Sequence, residues 1–150
     1  MSHAIQNLND ANINDLWETP QALLDEACKL YGVWPKLDVC ATYDNQKCKY
    51  CFTSEDDALL KSWDYDFFMN PPFSAIAKWI EKAHHESCEN NVTGIALIYA
   101  RTDTKWWHAF IEGKAEVHFI QGRVRFEMDG RPSKHVAPFP SCWVIWRAKA

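Results

Sequence analysis

The chain has 150 residues, of which 47% are hydrophobic, 14% aromatic and 24% charged, with a net charge of −4. That make-up suits one globular domain; it excludes a fibre and a disordered tail, and no apolar run approaches the roughly 18–20 residues that a membrane span needs. The charge is split, because residues 1–70 carry 5 Lys/Arg against 12 Asp/Glu and residues 71–150 carry 11 against 8, so the acidic total can conceal an electropositive face.

Residues 1–15, rich in Asn and Asp and without the apolar h-region of a secretory signal, read as a flexible N-terminal arm ahead of a single domain over 16–150. Thr19-Pro20 reads as a helix start, with Thr as N-cap and Pro at the first helical position. Leu23, Leu24, Ala27, Cys28, Leu30 and Tyr31 continue it at helical spacing as far as Gly32. Short strands are expected over 37–40, 50–53 and 65–69. The Asn70-Pro71-Pro72-Phe73 run must break the last of these, since two successive prolines cannot continue a ladder.

A helix capped by Ser74 follows, with Ile76, Ala77, Trp79, Ile80 and Ala83 on its apolar face. Residues 93–100 are nearly all apolar, as in a parallel strand covered on both faces. A helix over 103–111 and a strand over 115–120 come next. Residues 122–126 and 141–146 alternate like an antiparallel pair, separated by a long loop over 127–140. Trp106, Trp107, Trp143 and Trp146 read mainly as core. Alternating strands and helices predict an α/β sandwich with a mainly parallel sheet and a C-terminal antiparallel hairpin.

The six cysteines, Cys28, Cys40, Cys48, Cys51, Cys88 and Cys142, are expected to be reduced thiols. Cys48 and Cys51, with Cys40 nearby, make half of a zinc-ligand set, but no second pair stands at matching spacing. A zinc-stabilised binding protein is therefore a lesser reading, and no metal is expected.

The most informative residues are Asn70-Pro71-Pro72-Phe73. They follow a buried strand and precede a helix, so they lie at the carboxyl end of a strand, where open α/β sheets bind ligands. Asn70 offers a side-chain carbonyl and Pro71 a backbone carbonyl. Two acceptors suit an exocyclic amino group with two N–H donors. Phe73 offers a face on which a planar ring can stack. A planar amine held in this way has a lone pair available to attack an electrophilic methyl group. The plain alternative is a tight turn.

These residues resemble the catalytic Asn/Asp-Pro-Pro-Tyr/Phe motif of amino-methyltransferases. From about residue 16 to 146 the chain is similar to the small phage-type DNA N-6-adenine methyltransferases, a family with a reduced class I (Rossmann-like) fold. Trp17-Glu18-Thr19-Pro20 resembles that family's Trp-x-Thr-Pro element, and Leu37-Asp38-Val39-Cys40-Ala41 its first strand and turn. Asp56-Asp57-Ala58-Leu59 resembles its acidic stretch, and Gly122-Arg123-Val124-Arg125-Phe126 with Pro138-Phe139-Pro140-Ser141 its C-terminal hairpin.

The resemblance implies methyl transfer from S-adenosylmethionine to N6 of adenine in DNA. Asn70, Pro71, Pro72 and Phe73 would form the catalytic loop. Trp17, Thr19, Pro20, Asp38, Ala41 and Asp57 would line the cofactor pocket. Arg101, Arg123, Arg125, Arg131 and Lys134 are expected on DNA, which must be contacted at its phosphates. The implied compartment is the cytoplasm of a bacterial host cell; the oligomeric state is open.

The chain departs from the family pattern in having Cys40-Ala41 in place of a Gly-x-Gly turn, Phe73 in place of the commoner Tyr, and Ala58 where Gly is frequent. Two other outcomes stay open at this point. One is a non-catalytic DNA- or protein-binding module on a degenerate scaffold. The other is methylation of another planar amine, such as RNA adenine, cytosine N4 or glutamine.

Overall fold

Alternation along the strands divides the apolar residues between the two faces of one sheet. The computed structural model describes residues 17–150; the arm expected over 1–15 lies outside the described residues. In chain order the elements are α1 (Gln21–Tyr31), β1 (Leu37–Asp38), β2 (Tyr50–Cys51), β3 (Phe67–Met69), α2 (Ile76–Asn90) and β4 (Gly94–Tyr99). They continue with α3 (Lys105–Phe110), β5 (Glu116–Phe119), β6 (Glu127–Met128), β7 (Arg131–Pro132) and β8 (Ser141–Trp146). Short 3₁₀ turns cover Ala58–Leu60 and Phe73–Ala75.

Six strands form a sheet in the order β2-β1-β3-β4-β8-β5. β1 is parallel to β2 and to β3, and β3 is parallel to β4. β8 runs antiparallel to both β4 and β5, so it alone opposes five co-directional strands. The sheet is thus mainly parallel, as expected.

On one face Phe67, Met69, Ala96, Ile98, Val144 and Trp146 pack with Trp63, Ile80, Trp107 and Ile111. On the other, Phe68, Ile95, Leu97, Trp143 and Ile145 pack with Leu24, Ala27 and Cys28 of α1 and with Val124, Phe126 and Ala137. Trp107, Trp143 and Trp146 are buried, as their spacing predicts. Gly94 opens β4 because a Cβ there would collide with the Phe67 ring. No helix among the described residues is long and apolar enough to cross a membrane.

Two local expectations are corrected. α1 starts at Gln21, with Pro20 as its cap and no side-chain cap bond. Thr19 therefore does not cap, and its buried hydroxyl has no partner among the described residues. Residues 122–126 are not a strand, because β8 spends both of its edges on β4 and β5. Their alternation has another cause: Val124 and Phe126 point into the core from an extended segment lying over the sheet. That segment is held by Ala137 N donating to Val124 O at 2.7 Å and Ser133 N to Phe126 O at 2.8 Å.

The separate hairpin is β6–β7, inside the expected loop, with Met128 paired to Arg131. Its two turn residues, Asp129 (φ 52) and Gly130 (φ 75), both have positive φ, as a two-residue hairpin turn of the right twist demands.

Candidate active site

Strand order reverses beside β1, with β2 on one side and β3 on the other. A crevice at the carboxyl ends of the strands opens at such a point. The chain leaves β1 through Val39-Cys40-Ala41 and leaves β3 through Asn70-Pro71-Pro72, so both loops meet there.

Three cavities surround this point. A cleft of about 410 Å³ is lined by Ala41, Thr42, Thr53, Asp57, Pro72 and Trp79, among others. A small cavity of about 20 Å³ is lined by Thr19, Asp38, Lys47 and Phe68. A crevice of about 30 Å³ is lined by Pro71, Phe73, Ile98, Tyr99 and Phe126. Trp17 and Asn70 are the two residues that line all three.

The Asn70 amide is oriented by a tether. Its Nδ2 donates to Trp17 O at 3.0 Å, which leaves Oδ1 as the acceptor end of the side chain. The Trp17 ring stacks on Phe126, with centroids 5.4 Å apart. Phe73 meets Tyr99 edge-on at 5.4 Å and lies nearly parallel to Phe139 at 6.3 Å. Tyr99 also meets Phe139 at 5.3 Å, and the Arg101 guanidinium sits 4.6 Å from the Phe139 ring centre, a cation–π distance.

Asp38 is buried and accepts from Cys40 N at 3.2 Å and from Lys47 N at 3.0 Å. Burial pushes its carboxyl up to about 6 from the usual 3.8, and those two backbone donors only partly offset it. Asp56 ties its own loop, accepting from Thr53 N at 2.8 Å and Thr53 Oγ1 at 3.2 Å. The neighbouring Asp57 instead lines the cleft from a left-handed backbone position, and its carboxylate makes no hydrogen bond among the described residues.

The fold thus brings together Trp17, Thr19, Asp38, Ala41, Asp57, Asn70, Pro71, Pro72 and Phe73. Pro20 stands beside them as the cap of α1 and lines none of the three cavities.

The basic residues separate into two groups. Arg123 donates Nη1 to Pro138 O at 2.5 Å, and Arg125 donates Nη1 to Ser133 O at 2.8 Å and Lys134 O at 3.1 Å, so both tie down the 133–138 loop. Arg131 and Lys134 are exposed on and beside β7. Among the described residues, no three His, Cys, Asp or Glu side chains gather as a metal set. Burial raises the thiols of Cys48 to about 12 and of Cys40 well above its usual value.

Sequence reasoning missed Asn45, Tyr99 and the ring of Phe139 as site residues. Tyr99 and Phe139 carried a signal, being aromatic and close to the carboxyl end of β4 or to β8. Asn45 carried none.

The α/β sheet thus carries a switch-point cleft, and the Asn-Pro-Pro-Phe loop is shared between that cleft and an aromatic crevice. The model of the DNA N-6-adenine-methyltransferase (Dam) family matches residues 6–149, and the chain belongs to that family. It is similar to the DNA N-6-adenine-methyltransferase of Haemophilus phage HP1 (strain HP1c1), at 30% identity over 107 residues, covering 71% of this chain and 62% of that one. It is also similar to the DNA N-6-adenine-methyltransferase of Escherichia phage T1, at 28% identity over 126 residues, covering 83% and 52%. The chain spans between about half and three-fifths of the length of these curated relatives.

Proposed function

We propose that the chain is an S-adenosylmethionine-dependent DNA adenine N6-methyltransferase, built on a reduced class I (Rossmann-like) sandwich, that works on DNA in the cytoplasm of a bacterial host. Its family and the names of its relatives support that activity. The single observation that carries the reading is the Asn70 amide, held by Trp17 O between the cleft and the aromatic crevice.

The residues present fit the cofactor. The cleft of about 410 Å³ falls in the range of about 300–1,000 Å³ usual for small-ligand sites. Two polar groups make no hydrogen bond among the described residues, the Asp57 carboxylate in this cleft and the buried Thr19 hydroxyl in the small cavity beside it. Thr19, Asp38 and Trp17 would hold the methionine end, and Ala41 and Asp57 the adenosine end. S-adenosylmethionine, when bound, supplies an electrophilic methyl group.

The chain supplies position. Asn70 Oδ1 accepts one N–H of the adenine amine and the Pro71 carbonyl accepts the other, so the nitrogen lone pair is aimed away from both. Phe73 and Phe139 stack on the base faces, Tyr99 closes the floor, and Pro72 keeps the loop rigid. A paired adenine must first leave the duplex. The crevice of about 30 Å³ holds little more than one water, so Phe73 and Phe139 must part to admit a base. Arg131 and Lys134 of the hairpin region face the phosphates, and Arg101, Arg123 and Arg125 line the approach.

The test is transfer of labelled methyl groups to DNA followed by nucleoside analysis. Wild type should yield N6-methyladenine. Asn70→Ala should lose roughly 10²- to 10³-fold in kcat, the scale of removing one preorganised hydrogen-bonding group, while binding S-adenosylmethionine normally by calorimetry. Equal activity in the two proteins overturns the role of Asn70. Methylated cytosine, RNA or glutamine as the product overturns the substrate.

A further inference from the structure

We infer that Glu18 is a positioning residue: it clips the β6–β7 hairpin and the loop after β1 onto the segment whose Trp17 carbonyl orients Asn70. The inference deepens the methyltransferase reading and rests on it for its kinetic part only.

Three segments meet at this side chain. Its backbone pairs with the hairpin, Glu18 N donating to Glu127 O at 2.7 Å and Glu127 N to Glu18 O at 2.9 Å. Its carboxylate reaches further, accepting at Oε1 from Gly130 N at 3.1 Å and at Oε2 from Asn45 Nδ2 at 2.6 Å. Asn45 is in turn fixed by Thr42 N, which donates to its Oδ1 at 2.8 Å, and it lines the cleft. The residue before Glu18 contributes the carbonyl on Asn70 and the ring on Phe126.

The Trp17 peptide could not hold one orientation by itself, because a single backbone carbonyl on a short, unpaired segment is free to swing. The backbone pair with Glu127 limits that freedom, and the carboxylate bonds to Gly130 and Asn45 fix where the pair sits. Hydrogen bonds to an ionised carboxylate are stronger than neutral ones, and here both carboxylate oxygens are used on two different loops. The consequence is mechanical. The hairpin proposed to lie on DNA, the loop proposed to lie on the cofactor and the amide proposed to hold the base share one clip, so disturbing any of them moves the Trp17 carbonyl. The Asn70 amide would then be free to turn its nitrogen, rather than its oxygen, toward the base.

Two measurements test this, one of them independent of activity. In ¹⁵N-labelled wild type the Asn70 side-chain amide should show one shifted, slowly exchanging proton from its bond to Trp17 O. In Glu18→Ala, which keeps the backbone pair with Glu127 but loses both carboxylate bonds, that proton should move toward the exposed position and exchange faster. Glu18→Gln, which keeps one acceptor oxygen but turns a donor toward Asn45 or Gly130, should fall between.

In methyl-transfer assays Glu18→Ala should lower kcat roughly 10- to 100-fold, as a small misplacement of a reacting group does, with little change in KM for DNA. In an Asn70→Asp background, which keeps an acceptor but has no N–H for Trp17 O, the further loss on Glu18→Ala should shrink to under about threefold, as coupled residues behave in a double-mutant cycle. Unchanged Asn70 amide signals in Glu18→Ala, or full additivity in the cycle, would overturn the inference. A wild type that transfers no methyl group while the amide signals still respond would sink the methyltransferase reading and leave the clip standing.

Discussion

The cleft beside β1 and the crevice beside β4 meet at Asn70 but are built differently. The cleft, of about 410 Å³, is bounded by loops that hydrogen bonds brace: Asp56 on Thr53, Asn45 on Thr42 and Glu18, and Asp38 on Cys40 and Lys47 nearby. Such walls keep their spacing without a ligand. The crevice, of about 30 Å³, is bounded by Phe73, Tyr99, Trp17 and Phe126, with Phe139 against them. Rings have no directional bond to hold them apart, so they gain contact by closing on one another. One side of Asn70 is therefore preformed and the other closes on itself, which predicts that the cofactor binds without rearrangement and the base only after one.

The sharpest way to break this contrast is to remove the rings. Phe73→Ala combined with Phe139→Ala should lower kcat/KM for DNA by about 100-fold or more, since stacking on a base contributes about 1–3 kcal/mol per ring. Calorimetric affinity for S-adenosylmethionine should stay within about twofold. A parallel loss of cofactor affinity would show that the two sides are one site.

Asp38 tests the other side through pH. Its carboxyl titrates at about 6 when folded, against 3.8 ordinarily. The folded state then holds the proton more tightly than the unfolded state. The contribution is fully present below pH 3.8 and is lost as pH rises to about 6, roughly 3 kcal/mol in all. Asp38→Asn should remove that slope, so the unfolding free energy of wild type relative to the variant should fall across this window. If the ionised group receives the cofactor's ammonium, wild-type affinity for S-adenosylmethionine should weaken as pH drops through about 6 and that of Asp38→Asn should not. Parallel profiles would detach Asp38 from the ligand.

A smaller effect separates DNA from both cavities. Arg131→Glu with Lys134→Glu should weaken DNA binding about tenfold or more at low salt. The salt dependence should flatten by about one unit of slope for each phosphate that is no longer neutralised, with cofactor affinity unchanged. Unaltered DNA affinity at low salt would remove the hairpin region from the interface.

Much of this arrangement is legible in the sequence. The apolar runs of β4 and β8 and the prolines after β3 locate the sheet and the loop at its edge, because burial on both faces and a missing N–H leave direct marks. The hairpin is harder to see: Asp129-Gly130 is a strong two-residue turn signal, yet only Glu127–Met128 and Arg131–Pro132 pair around it, too few for alternation to show. Residues 122–126 mislead because inward-pointing residues alternate in the same way on a strand and on an extended covering segment. The clip at Glu18 cannot be read at all. Its partners lie 27 and 112 residues away, and nothing local marks such contacts.

Thr19 supplies the smallest test and the most direct one of whether the cofactor side is built for a ligand. Its hydroxyl is buried at the edge of the small cavity and has no partner among the described residues. A buried hydroxyl without a partner costs about 1–3 kcal/mol, and nothing among the described residues gives a reason to keep it. Thr19→Val conserves shape and removes that cost. Its thermal stability without ligand should equal or slightly exceed that of wild type. Its affinity for S-adenosylmethionine should fall by a few-fold to about tenfold, the worth of one hydrogen bond, so the stabilisation that the cofactor gives on melting should shrink. A variant less stable than wild type with unchanged affinity would mean that the hydroxyl serves the fold; the opposite pair of results places it on the ligand and marks the cofactor side as a site held ready before anything binds.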